Sequence, residues 1–251
     1  MKKFIALVLV LALLPVFAAC SDEPGVLEVS KSYEITTEIR SLSIQINAAD
    51  FTIEYGDGFS VESNLKYLSV TEKDGVLKIA DEGKPGLKYT DPTLKLCIPK
   101  DVAFEEIDII TGAAKLTSVP LSADSIHLLL GAGKVRFEGL IAHSDIKIEG
   151  GAGEITVESG MLHDLDLTLG VGSLNMTVAL QGENELKCGV GGTKLTLIGD
   201  MEDYKLDVAK GIGSITVAGE EISDSASRGN GQCHVEIEGG IGAVNVTFRA
   251  E

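Results

Sequence analysis

The stretch Asp145-Ile-Lys-Ile-Glu-Gly-Gly-Ala-Gly-Glu-Ile-Thr-Val-Glu158 decides the fold. Ile146 and Ile148 alternate with charged residues, glycines interrupt, and Ile155 and Val157 resume the alternation. A period of two marks a strand with one buried face. The glycines between the runs suit a tight turn or a close approach of backbones, because φ > 0 costs glycine nothing. One such unit cannot bury its apolar face alone, so it needs neighbours of the same kind.

The sequence supplies them. With Gly112, Gly131, Gly151, Gly170, Gly191, Gly211 and Gly240 as anchors, the spacings are 19, 20, 19, 21, 20 and 29 residues. Five positions before each anchor stand Ile107, Ile126, Ile146, Leu165, Leu186, Leu206 and Val235. Three before stand Ile109, Leu128, Ile148, Leu167, Cys188, Val208 and Ile237. Four after come Leu116, Val135, Ile155, Leu174, Leu195, Ile215 and Val244; six after come Ser118, Phe137, Val157, Met176, Leu197, Val217 and Val246. Of these 28 positions only Ser118 is not apolar, in a chain that is 44% hydrophobic, so the repeat is real.

Each unit therefore holds two short strands joined at glycine. The units fit an all-β fold of one of two kinds. One is a single-stranded parallel β-solenoid of about seven repeats of ~20 residues. The other is an antiparallel β-sandwich of successive hairpins. The polar columns favour the solenoid. Four before the anchors, Lys147, Asp166, Lys187 and Asp207 alternate in sign, and rungs stacked about 4.8 Å apart would make them a ladder of opposite charges. Five after the anchors the column is mostly Thr and Asn (Thr117, Thr156, Asn175, Thr196, Thr216, Asn245), which also stack well. Residues 33–251 thus read as one β-repeat domain: 33–100 continue and cap the stack, and 101–251 carry the repeats.

Within 33–100, alternating runs at Ile35 to Ile39, Leu42 to Ile46 and Phe51 to Tyr55 read as strands, with turns at Asn47 to Asp50 and Gly56 to Gly58. Asp74-Gly75 is a strong hairpin signal. Asp81 to Pro92 reads as a loop, and Leu94 to Ile98 as a strand. Near the other end, the polar segment Glu220 to Gln232 reads as a surface loop.

Residues 1–19 precede the fold. Lys2 and Lys3 form a positive n-region, Phe4 to Leu14 is an apolar h-region, and small residues lead to a cysteine, which is a secretory signal rather than a transmembrane helix. The ending Phe17-Ala-Ala-Cys20 resembles the lipobox of bacterial lipoproteins, which implies a diacylated Cys20 as residue one of the mature chain. Residues 20–32 would then be the lipidated cysteine and a polar tether. Two lysines and no acid leave with residues 1–19, taking the net charge from −17 to −19. An acidic surface argues against nucleic acid and against docking on anionic lipid.

Motifs that carry chemistry are thin. Gly151 to Thr156 lacks the third glycine of a dinucleotide loop and is followed by a strand, and Ile155 stands where a calcium β-roll needs aspartate. Gly133-Lys-Val has no Ser or Thr after the lysine. Cys97, Cys188 and Cys233 make neither a disulfide framework nor a zinc motif, and Cys188 falls in an inward column. His127 lies in the outward charged column. His143 and His163 lie in turns near Asp145 and Asp164, where solvated turn residues are the simpler account than a metal site. The acidic runs Glu105-Glu106, Glu220-Glu221 and Asp200/Glu202/Asp203 read as turns. No catalytic, cofactor or metal residue is assigned, and no cofactor is expected.

Leu42 to Glu54, Leu96-Cys-Ile-Pro-Lys100 and the strand-GxG-strand units such as Ile146 to Val157 resemble the bacterial DUF4097 group. That group of "putative adhesin" β-strand repeat proteins is related to head GIN adhesin-like domains. The resemblance covers nearly all of the chain after Cys20 and implies an exported or membrane-associated β-solenoid. The expectation is a non-enzymatic, extracytoplasmic lipoprotein that meets the membrane through its anchor and an unidentified protein or glycan through its β faces. The alternatives are a structural or sensory envelope component and a polysaccharide-acting β-helix enzyme.

Overall fold

The computed structural model describes residues 23–250, so the signal segment and Cys20 lie outside the described residues. Among the described residues, apart from a 3-10 turn at Met201–Asp203, every regular element is a strand. The first are β1 Val26–Glu34, β2 Ser41–Tyr55, β3 Ser60–Leu65, β4 Leu68–Lys73, β5 Val76–Asp81 and β6 Thr93–Ile98. Long strands follow: β7 Phe104–Ser118, β8 Leu121–Phe137 and β9 Leu140–Val157, then short β10 Gly160–His163 and long β11 Leu165–Gln181. After them come β12 Glu183–Lys187, β13 Val190–Ile198, β14 Tyr204–Ala209 and β15 Ile212–Val217. The last are β16 Glu220–Ile222, β17 Ser225–Arg228, β18 Cys233–Glu238 and β19 Ile241–Arg249. All belong to one mixed sheet. Among the described residues no helix is long and apolar enough to cross a membrane.

The glycines do not end the strands. β7, β8, β9 and β11 each run through theirs. Buried positions fall five and three before the glycine and four and six after it. That switch from odd to even lets both arms face one core. The packing there is tight: Gly153 has φ +149°, and a Cβ on it would sit 1.8 Å from the Gly133 carbonyl oxygen of the neighbouring rung.

Long strands pair in parallel, one repeat to the next. Ile107, Ile126, Ile146 and Leu165 line up before the glycines, and Leu116, Val135, Ile155 and Leu174 after them. The two arms of a unit never pair with each other, which overturns the hairpin alternative for the repeats. Antiparallel pairs are confined to the ends: β1–β3, β3–β6, β4–β5, β14–β17 and β15–β16. The inward columns fuse into one core, where each fully buried Leu or Ile contributes about 1.5–3 kcal/mol relative to exposure. Ser118 is fully buried beside Phe137 and donates its hydroxyl to the Val119 carbonyl at 2.8 Å. A small polar residue is thus satisfied locally next to a large ring.

One anchor was misplaced by the spacing. Leu167 pairs with Leu186, and Met176 with Leu195, so Gly189 rather than Gly191 is the counterpart of Gly170. Every assignment in that unit moves by two residues, and the inward slot given to Cys188 belongs to Leu186. The slot given to Leu186 belongs to Asn184, which is 4% exposed. Its Oδ1 accepts from the Leu165 backbone N–H at 3.1 Å, and its Nδ2 reaches the carbonyls of Gln181, Gly182 and His234. One side chain therefore ties three successive rungs together.

The ends depart from chain order. β2 lies between β7 on one side and β5 and β6 on the other, with Asn47 in the place of the anchor glycine. The turn expected at Asn47 to Asp50 is continuous strand. At the far end β18 and β19 insert between β12/β13 and β14/β15. The segment expected as a loop after Glu220 is instead the end cover, since β16 and β17 fold back antiparallel on β15 and β14. Gly229 and Gly231 then carry the chain past Asp203 and Tyr204, too close for any Cβ. The polar tether reading also fails from Val26 onward, where β1 pairs with β3. The Asp74-Gly75 hairpin forms between β4 and β5, with both residues at positive φ.

Candidate interaction surface

Successive strand residues point to opposite faces, so positions six, four and two before each corner glycine face outward in columns. With the register corrected, the column four before runs Asp108, His127, Lys147, Asp166, Glu185, Glu236 and Asp207 in spatial order. The expected alternation of sign survives only at Lys147 and Asp166. Lys187 stands two residues further along, opposite Thr168. Four acids stack in succession at a spacing where like charges repel.

Cations on the same strands offset this. Lys147 Nζ lies 2.6 Å from Glu149, Lys187 Nζ 2.6 Å from Glu185, and Lys205 Nζ 3.3 Å from Asp207. A further offset comes from His234 on β18, which reaches carboxylates on two other rungs. Its Nδ1 is 2.8 Å from Glu183 on β12, and its Nε2 is 2.7 Å from Asp207 on β14. Both carboxylates favour the imidazolium, Glu183 most, and lift its pKa above the ordinary 6.5. Hydrogen bonds from Ser227 and then His234 hold Asp207 down at about 2. An imidazolium donating from both nitrogens has no lone pair left for a metal or for a substrate proton. It clasps the inserted rung to the rungs on either side.

His127 faces outward and lies 3.7 Å from Asp145. His143 meets the Ser122 hydroxyl at 3.3 Å, while His163 contacts the Ser144 carbonyl and Asp164 at 3.1 Å each. Both histidines, expected in turns, lie in strands, His143 in β9 and His163 at the end of β10, and have separate partners; among the described residues no group of three or more His, Cys, Asp or Glu could hold a metal ion. Glu105 pairs with Arg40, Glu221 with Lys210 and Glu220 with Arg228, while Asp203 accepts the Asp200 N–H to cap the 3-10 turn. Burial lifts the Cys188 thiol, and lifts that of Cys233 to about 11. Neither is a thiolate near neutrality. Sequence reasoning passed over Glu183 and Asn184 altogether, and nothing in the order of the chain places His234 between Glu183 and Asp207.

No family model and no curated protein matches the chain. Among solved structures it is similar to a "putative cell adhesion protein" from Clostridium sporogenes, at 15% identity over 88% of this chain and 99% of that one, with a TM-score of 0.38. It is similar also to a "putative adhesin" from Bacteroides fragilis, at 10% identity over 87% and 96% of the two chains, TM-score 0.40. A third likeness is to a "putative lipid binding protein" from Parabacteroides distasonis, at 14% identity over 88% and 98%, TM-score 0.35.

Proposed function

We propose that this chain is a non-enzymatic, adhesin-like protein of the cell envelope, held at the membrane by a diacylated Cys20 and built as a parallel β-solenoid. The observation that supports it is the outer surface: side-chain columns kept in one register along the whole stack. A partner protein or glycan can read such a surface at several points at once, which is how stacked-repeat proteins bind extended partners. Two acyl chains would make the attachment stable where one would not. The net charge of −17 directs the surface away from nucleic acid and anionic lipid.

Two measurements test this. Mass spectrometry of the protein from a bacterial membrane fraction should find Cys20 as the first residue, carrying acyl chains, and Cys20→Ser should release the protein from that fraction. An unacylated product ends the anchoring part of the proposal. Incubation with envelope polysaccharides should give binding without shortening of the polymer. Shortened chains, lost on substituting Asp166 and Glu185 by their amides, would make the protein an enzyme instead.

A further inference from the structure

The residue just after each corner glycine points outward, and in this column exposed aliphatic side chains occupy four successive rungs, whereas Val29, Leu129 and Met161 are exposed elsewhere. In spatial order it reads Ala113, Ala132, Ala152, Val171, Val190, Ile241 and Ile212. The last four are 57%, 44%, 51% and 74% exposed. Glycines flank every one of those four, at 170 and 172, 189 and 191, 240 and 242, and 211 and 213. The corner dictates those glycines, because backbones touch there. It does not dictate the residue between them, since alanine serves in the first three rungs. The change to Val and Ile therefore has a cause outside the fold.

A second column changes at the same rung. Three positions after the corner glycine, Lys115, Lys134 and Glu154 give way to Ser173, Gly192, Ala243 and Ser214. Charge leaves this column where bulk arrives on the ridge.

We propose that this ridge is the seam of a homodimer, with two copies lying antiparallel about a two-fold axis between the Val190 and Ile241 rungs. Val171 of one copy then meets Ile212 of the other, and Val190 meets Ile241. The symmetry is self-complementary on both flanks. On one side Ser173 faces Ser214 and Gly192 faces Ala243. On the other side, two before the glycine, Lys187 and Glu238 are neighbours within a chain, and the two-fold sets each against its opposite charge in the partner. Both copies share the same rung spacing of about 4.8 Å, so one ridge can interdigitate with the other over the glycine troughs. The four side chains expose on the order of 400 Å² per copy, against roughly 800 Å² per partner in a standard interface. The ridge alone is too small for an unrelated globular partner. Matched to itself, with its flanking rows, it reaches the low end of that range and gives a reversible dimer. This inference stands apart from the adhesin-like reading, because it rests on register and exposure and not on the anchor or any glycan.

The test uses the Cys20→Ser full chain in solution. Sedimentation should show a concentration-dependent dimer, and Ile241→Asp or Ile212→Asp should weaken it by about tenfold or more. Both sites are exposed, so unchanged circular dichroism and melting confirm that the variants fold. Mixing V190C with I241C should give a disulfide-linked dimer faster than either variant alone. A monomer at all concentrations, a dimer indifferent to both aspartates, or faster linkage of V190C to itself overturns the proposal.

Discussion

From β7 to β11 each rung pairs with the rung about 20 residues away, so order in space follows order in the chain. At both ends the order is exchanged. β19 pairs with β13 from about 50 residues away, with Thr196 and Thr247 sharing a hydrogen bond at 3.1 Å. β2 reaches β7 across a similar gap, and Arg40 pairs with Glu105 65 residues later. Closing a loop two or three times longer costs only about 0.6–1 kcal/mol more. In return β19 is held between two rungs instead of fraying at an outer edge. The outermost positions go to antiparallel strands, of which β4 and β16 are joined to their neighbours by tight turns, and short strands leave little sheet edge open. The middle is therefore a repeat held by local geometry, and the ends are a weave held by side chains.

If that contrast is right, the largest single-residue effect belongs to a corner in the middle. Gly153→Ala puts a Cβ at φ +149° and 1.8 Å from a backbone oxygen that the next rung holds in place. We expect a loss of about 3 kcal/mol or more, or no folded protein, since strain and backbone displacement combine. Gly192→Ala is the control, because a Cβ there meets nothing within 4 Å. It should fall within about 0.5 kcal/mol of wild type in urea unfolding. Equal effects at the two glycines would show that the corners are not close-packed.

Next in size is the joint between the two regimes. Asn184→Leu should cost about 2–3 kcal/mol although it is apolar-for-polar in a core column, because it strips an acceptor from Leu165 N–H and a donor from three carbonyls. Loss of protection at Leu165 and His234 in hydrogen exchange would locate the damage. A stabilised variant would mean that the column wants leucine, as the sequence pattern suggested.

That pattern was right that the repeats are β-strands of one sheet and wrong about one rung for a definite reason. Cys188-Gly-Val-Gly-Gly192 offers three glycines as anchors, and moving from Gly189 to Gly191 shifts the frame by two. A shift of two leaves every apolar residue on its proper face, so 28 positions could not detect it. Only a contact that crosses the rungs can. The exchanged ends were hidden for a similar reason, because an inward column reads the same however its rungs are shuffled. Hence the acidic column and the His234 clasp, which depend on who stands beside whom, were not legible, whereas the core and the Asp74-Gly75 hairpin were.

The woven C-terminal end should also carry a pH signature through His234 and Asp207. His234 titrates above 6.5 in the folded protein, so its stabilisation is complete below 6.5 and is lost as pH rises through the raised value. Asp207, held at about 2 against an ordinary 3.8, contributes above 3.8 and loses its share as pH falls through 2. Both act together between 3.8 and 6.5. Solvent screening keeps the alkaline loss below about 1 kcal/mol. Melting temperature should fall as pH rises above 6.5 for wild type and change less for His234→Gln. Parallel curves would remove His234 as the clasp.

The smallest effect is the most selective for register. Lys147 and Asp166 are cross-strand neighbours, whereas Lys187 faces Thr168 and Asp166 faces Glu185. A double-mutant cycle in which Lys147→Glu is combined with Asp166→Lys should recover part of the loss from the first change. The same cycle between Asp166 and Lys187 should be nearer to additive, because Lys187 Nζ is held by Glu185 on its own strand at 2.6 Å. Replacing Glu185 by lysine should raise the unfolding midpoint slightly, since it breaks the run from Asp166 to Asp207. Strong coupling between Asp166 and Lys187, with none to Lys147, would restore the two-residue frame of the spacing and displace Asn184, Glu185 and the clasp along with it.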